Sequence, residues 1–464
     1  MASLRGVAGF ARALATCLFL MLAGCGTTHE ALRSTYADGD ACSPAEACSD
    51  NLYYKVADKS DSANEIHLAF LEFDDQGYLQ KDRYKDRIIE RIRMMAQTRP
   101  LLIVVYAHGW RNNVQSADVG KFAKMLTEVA ARDHHTCHNS PCASREVVGV
   151  YLGWRGLSVD IEPFNTLSFW KRKSRAHRVG IDGATEVLAE LAEIKTRVNK
   201  PDSGFPGRTR LVLTGHSFGA ALMYSATQQL LMRDLVFRND ENVVPPNTAD
   251  LIVLVNPAFE AARVHSLRLK ASKESFDMNQ RPILAVFTSK TDEDTGRLFP
   301  LGRGLSTLLM HHAPDRETTE CCSEAHQRLE NKTTIGKYEP WRTHDLTIAD
   351  EDAKRAAKAA PERQTVKEPP LSESICGWQE FQSGQENEWN WGDMTLSRTE
   401  RMQVDGQFQN PYMLVSVDDH IISKHSGIWT ENFSKFLYSF IAVQNAKPGT
   451  PCKDKSRPTL DAAY

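Results

Sequence analysis

Apolar residues along this chain fall into two recurring patterns. Strand-like apolar runs, several of them rich in valine, isoleucine and leucine without polar alternation, occupy 66–73, 101–106, 147–152, 211–213, 251–255, 283–288 and 412–417. Such runs fit strands buried on both faces of a parallel sheet. Segments with apolar residues at helical spacing lie among them, at 83–97, 119–132, 183–198 and 220–232. A last one, 431–443, puts Phe433, Phe436, Leu437 and Phe440 on one face. Strands alternating with helices predict an α/β fold built on a doubly wound, mostly parallel sheet. Two stretches break the rhythm: 156–178, which reads as a long loop carrying Phe164, Leu167, Phe169 and Trp170, and the much longer 295–410.

The first 25 residues form a separate unit. Arg5 and Arg12 give a basic start, 13–23 is a short apolar run, and small residues follow. That is a secretory signal, too short to span a bilayer. Its end, Leu22-Ala23-Gly24-Cys25, resembles the bacterial lipoprotein cleavage site. The resemblance implies cleavage before Cys25, a lipid on its sulfur and a place in the cell envelope, with Gly26 favouring the outer membrane. Residues 26–62 are rich in Ala, Ser, Asp and Thr and read as a tether.

Composition is that of a globular body, with 41% hydrophobic and 25% charged residues and a net charge of −3. No basic excess points to nucleic acid. Of ten cysteines, Cys17 leaves with the signal and Cys25 would be acylated. The rest suit disulfides in an oxidising compartment, Cys42 with Cys48 and Cys137 with Cys142 being the local pairs. Cys376 and Cys452 are plausible partners for Cys321 and Cys322. His134-His135-Thr136-Cys137-His138 with Cys142 imitates a zinc cluster. Its spacing is irregular, so it reads as a polar, disulfide-closed loop, and no metal or other cofactor is expected.

The chemistry is concentrated at Leu211-Val212-Leu213-Thr214-Gly215-His216-Ser217-Phe218-Gly219. An apolar run enters Gly-x-Ser-x-Gly and a helical segment leaves it. That makes a strand, a tight turn and a helix, with Ser217 at the apex and glycines where side chains would collide. A serine hydroxyl needs a base, and the base needs an acid to orient it. After 283–288 comes Ser289-Lys290-Thr291-Asp292-Glu293-Asp294, offering Asp292 as the acid, with Asp294 in reserve and Glu260 as a third candidate. After 412–417 comes Asp418-Asp419-His420-Ile421-Ile422-Ser423-Lys424-His425. His425, just before the closing helix, is the expected base and His420 its competitor. His216 reads as a packing and support residue. Ala107-His108-Gly109-Trp110 after 101–106 is where oxyanion donors belong, the Trp110 amide joining that of Phe218. Gly109, His108 and Gly219 shape the two turns.

Taken together, these motifs resemble the α/β-hydrolase superfamily, over roughly 66–443 with 295–410 outside the common core. Gly149-Val150-Tyr151-Leu152-Gly153-Trp154-Arg155-Gly156 and Val255-Asn256-Pro257-Ala258-Phe259 are similar to bacterial members known only as hypothetical hydrolases. The resemblance implies a mostly parallel sheet, a triad of Ser217, Asp292 and His425, and no metal. The expected organisation is a core of 63–294 and 411–445, a cap at 295–410 before the last strand, and a tail at 446–464. That insertion holds four tryptophans, Trp341, Trp378, Trp389 and Trp391, and its apolar residues would line a substrate pocket. Its charged stretch 349–370 reads as exposed helix or linker.

The expected activity is an envelope-anchored serine hydrolase acting on a small-molecule or lipid-like carboxylic ester. A peptidase or amidase would use the same residues. A surface lipoprotein that binds a partner through a hydrolase-like frame is the non-enzymatic alternative.

Overall fold

The computed structural model describes residues 53–56, 66–80, 82–110, 112–138, 144–156, 164–200, 208–238, 248–307, 310–311, 323–348, 351–359, 366–405 and 409–446. Cys25, the leader, Cys42, Cys48 and Cys142 lie outside them, as does the side chain of Cys137. Its strands are β1 (Tyr53–Val56), β2 (Ile66–Glu72), β3 (Leu101–Ala107), β4 (Glu146–Gly153), β5 (Arg210–His216), β6 (Leu251–Val255), β7 (Leu284–Ser289), β8 (His344–Ile348), β9 (Glu388–Trp391), β10 (Met394–Arg398) and β11 (Tyr412–Val417). They form one 11-stranded sheet in the order β1-β2-β4-β3-β5-β6-β7-β11-β8-β10-β9. From β2 to β8 in that order every pairing is parallel. The pairings β1–β2 at one edge, and β8–β10 and β10–β9 at the other, are antiparallel.

The helices are α1 (Asp82–Thr98), α2 (Asp118–His138), α3 (Phe164–Val179), α4 (Thr185–Val198), α5 (Phe218–Val236), α6 (His265–Ala271), α7 (Phe299–Ser306), α8 (Glu324–Lys332), α9 (Glu351–Ala359), α10 (Leu371–Ser383), α11 (Glu400–Asp405) and α12 (Glu431–Asn445). Strand β3 shows how they cover the sheet. Leu101, Ile103, Val105 and Ala107 point into a core shared with α1, α4, α5 and α6. Leu102, Val104 and Tyr106 point into a second core with α2, α10 and α12. Burial on both faces is why these strands read as unbroken apolar runs. The chain reverses its progress across the sheet between β3 and β5. From β3 it moves outward through β4; from β5 it moves the other way through β6 and β7. The carboxyl ends of β3 and β5 therefore flank a switch point, where sheets of this kind place ligand sites.

Several sequence expectations change. The stretch 156–178 is not simply a loop, because it contains α3. The expected tether 26–62 contains β1, which pairs with β2. The His134–His138 run is the end of α2, not a polar loop. Residues 295–410 do not stand apart as a cap whose tryptophans line a cleft. Strands β8, β9 and β10 lengthen the sheet, and Trp378, Trp389 and Trp391 are buried in the core beside α12. Trp378 meets Phe440 at 5.5 Å, Trp389 meets Phe436 at 5.5 Å and Trp391 meets Phe436 at 5.9 Å between ring centres. Trp341 is the exception, half-buried against Tyr338. Cys376, on α10, is disulfide-bonded, and the side chains of all other cysteines lie outside the described residues.

This packing carries a test. Trp389→Ala should cost about 3–5 kcal/mol of stability, read by denaturant melts. A change in substrate affinity without loss of stability would return Trp389 to a pocket wall.

Candidate active site

Strand β5, central in the sheet, delivers Ser217 just past its carboxyl end, and α5 begins at the next residue. The turn is so tight that Ser217 takes φ 56°, ψ −118°, a region costly for any residue with a side chain. Neighbouring elements enforce it. A Cβ on Gly215 would lie 2.8 Å from the Gly219 carbonyl oxygen, and one on Gly219 only 2.0 Å from the Ala107 oxygen. The backbone is pinned as well: the Ser217 amide donates to Val255 at 3.0 Å, and its carbonyl accepts from Ala221 and Ala258, both at 3.2 Å.

The loop after β11 brings His425 to this serine. Its Nε2 lies 2.7 Å from Ser217 Oγ, and its Nδ1 lies 2.9 Å from Asp292 Oδ2. A carboxylate can only accept, so Nδ1 carries the proton and Nε2 presents its lone pair to the serine hydroxyl. Asp292 is fully buried, and its other oxygen accepts from the Thr295 amide at 3.1 Å. Burial alone would raise this carboxyl. The hydrogen bond and charge of His425, with the bonds from Thr295, outweigh it and hold the group below its ordinary range.

The other acids are engaged elsewhere. Glu260 is buried between Lys173 and Arg303, the latter at 2.9 Å. Asp294 begins the turn leading to α7, and Asp292 holds the His425 bond that it was a reserve for. His420 is bound within its own turn, 2.7 Å from Asp418 and 3.0 Å from Asp419.

His216 supports His425. Its Nε2 donates to the His425 carbonyl at 3.1 Å, with ring centres 5.2 Å apart. His108 holds the β3 turn. Its Nδ1 donates to the Gly109 carbonyl at 2.8 Å, its Nε2 accepts from the Trp154 amide at 3.2 Å, and its ring stacks on the Trp154 indole. A Cβ on Gly109 would lie 2.8 Å from His216 Nδ1 and 3.5 Å from Ser217 Cβ, so the Gly109–Trp110 turn passes beside the serine. Phe218 opens α5, and its amide belongs to the positive end of that helix.

Sequence reasoning gave no role to Thr295, to Lys337 or to the side chain of Asn256. Lys337 Nζ donates to the carbonyls of Ser289 at 2.7 Å and Lys290 at 2.8 Å, bracing the loop that carries Asp292. Asn256, at the end of β6, is fully buried at φ 45°. The available signal was an asparagine ending an apolar run before Pro257, a pattern that reads as an ordinary turn.

No family model matches this chain, and no curated protein shows significant sequence similarity to it.

His216 gives the site a pH signature. Burial, then the neighbouring His425, lowers it from the ordinary 6.5 to about 3. The unfolded chain therefore binds a proton here before the folded chain does. The stability linked to this group is intact above 6.5 and is lost as pH falls towards 3. His216→Gln removes the titration and keeps a donor. Between about pH 7 and about pH 5, wild type should lose ~2 kcal/mol more than this variant. Equal losses in acid melts would contradict a neutral, buried His216.

Proposed function

We propose that this protein is a serine hydrolase of the α/β-hydrolase type that cleaves carboxylic esters. The observation that carries the reading is the continuous chain of hydrogen bonds from Asp292 through His425 to Ser217. Support also comes from the strained serine turn and from the position of this chain of bonds beside the switch point of a mostly parallel sheet.

The reaction follows from the atoms present. Ser217 Oγ attacks the ester carbonyl while His425 Nε2 takes its proton. Negative charge gathers on the former carbonyl oxygen, where the amides of Phe218 and Trp110 would donate. Asp292 stabilises the imidazolium and keeps it oriented. The C–O bond to the alcohol breaks, the alcohol leaves with the proton from Nε2, and an acyl group remains on Ser217. Water then attacks this ester, His425 again taking a proton, and Ser217 is restored as the carboxylic acid departs.

An amide would pass through the same steps, and turnover of matched esters and anilides separates the two. Trp378, Trp389 and Trp391 are packed in the core and offer no wall for a lipid-like acyl chain, so the substrate class proposed is the carboxylic ester. The non-enzymatic reading has one observation in its favour: Ser217 is fully buried and His425 nearly so. Substrate must therefore part the elements above the strand ends. The lipid anchor at Cys25 and an envelope location complete the proposal.

Two outcomes are expected. p-Nitrophenyl acetate turnover should vanish in Ser217→Ala and His425→Ala and fall ~10⁴-fold in kcat in Asp292→Asn, where the wrong tautomer is favoured. Turnover retained in Ser217→Ala, or absent in folded wild type, would end the enzymatic reading. Replacing Cys25 by Ser should move the protein from the membrane to the soluble fraction of cells. Continued membrane association would remove the lipid tether.

A further inference from the structure

Three residues other than glycine adopt positive φ among the described residues: Ser217 at 56°, Asn256 at 45° and Lys424 at 59°. All three meet at this site. Ser217 carries the hydroxyl, Lys424 immediately precedes the base, and Asn256 lies between them. Backbone strain concentrated in one place marks positions that the surrounding structure holds deliberately. The first two have evident reasons, and Asn256 needs one.

The sheet order supplies it. Ser217 follows β5, Asn256 follows β6, Asp292 follows β7 and His425 follows β11, and these strands are consecutive neighbours. Adjacent strands are about 4.8 Å apart, so β5 and β11 are separated by ~14 Å. The loop after β11 must lean back over the ends of β7 and β6 for its imidazole to reach Ser217. Asn256 stands under the middle of that span.

Its side chain grips both sides. Nδ2 donates to the His425 carbonyl at 2.8 Å and to the Lys424 carbonyl at 3.2 Å. Oδ1 accepts from the Ser289 amide at 2.9 Å, at the start of the loop that carries Asp292. The backbone amide of Asn256 donates to Phe287 at 2.8 Å. The His425 carbonyl also accepts from His216, so both of its lone pairs are held by buried side chains from neighbouring strand ends.

We propose that Asn256 is a positioning residue: it fixes the backbone of His425, and through it the imidazole, in line with Ser217 and Asp292. Only an amide meets the requirement. It must donate to two carbonyls and accept from an amide in one small side chain, and it must tolerate left-handed φ, which asparagine does better than most residues. Aspartate would set a carboxylate oxygen against two carbonyls close to Asp292. Glycine would keep the backbone and lose the grip. This role rests on the serine-hydrolase reading and adds a residue that the reading itself does not require.

The test compares full-length Asn256→Gly and Asn256→Asp with wild type, using p-nitrophenyl acetate. Misplacing a catalytic group by about 1 Å costs on the order of 10²-fold in rate. Both variants should lose kcat by ~100-fold while KM stays within about threefold. The proton NMR signal of the His425 Nδ1 hydrogen, shared with Asp292, should shift or broaden in both. Trp389→Ala serves as a destabilised control and should keep its kcat at a temperature where it remains folded. Variants of Asn256 with near-normal kcat and an unchanged Nδ1 signal would overturn the proposal. So would a loss confined to KM, an equal loss in Trp389→Ala, or failure of both Asn256 variants to fold, which would make the residue a folding element. Inactive wild type would instead sink the hydrolase reading itself.

Discussion

The imidazole of His425 has to reach a hydroxyl that belongs to a strand three places away in the sheet. The rest of the site is arranged around that constraint. Ser217 is pushed up by a turn that Gly215 and Gly219 permit and the end of β3 compresses. Asp292 is fixed by Thr295, and its loop by Lys337. The histidine loop is laced to the acid loop through Ser289 Oγ, which donates to Ile422 at 2.6 Å, and through Thr291 Oγ1, which accepts from the Lys424 amide at 3.3 Å. A parallel sheet makes this possible. Its strand ends point one way, so loops far apart in sequence emerge side by side.

The same geometry explains what the sequence disclosed. Strands buried on both faces leave unbroken apolar runs, and the residues just beyond their ends are the ones that converge. Ser217, Asp292 and His425 were legible because each follows such a run in the expected order. Asn256 follows one too, but its task is to hold a backbone carbonyl across 169 positions of chain, and no local pattern encodes such a partner. His216 could be separated from His425 because adjacent side chains on a tight turn diverge.

The misses share a cause. Strands β8 and β10 alternate buried and half-buried residues over five positions, and β9 alternates exposed and buried ones over four. Segments that short, flanked by charge, resemble loop until neighbours pair with them. Helix α3 hides for a related reason. Its Arg172 and Lys173 are buried, and Lys173 is matched by Glu260 from beyond β6. A cation inside the fold reads as surface until its distant partner is known. The tryptophans misled in the opposite direction: aromatic side chains suited to a pocket are equally suited to a core, and α12 supplied the core.

The central claim is that Ser217 is a nucleophile activated by His425. The most direct measurement is to treat the folded protein with a fluorophosphonate and map the modified residue by mass spectrometry. The account predicts one phosphonyl group per chain, on Ser217, and none after His425→Ala. No adduct on the folded protein, an adduct on another residue, or equal modification of Ser217 without the imidazole would contradict it.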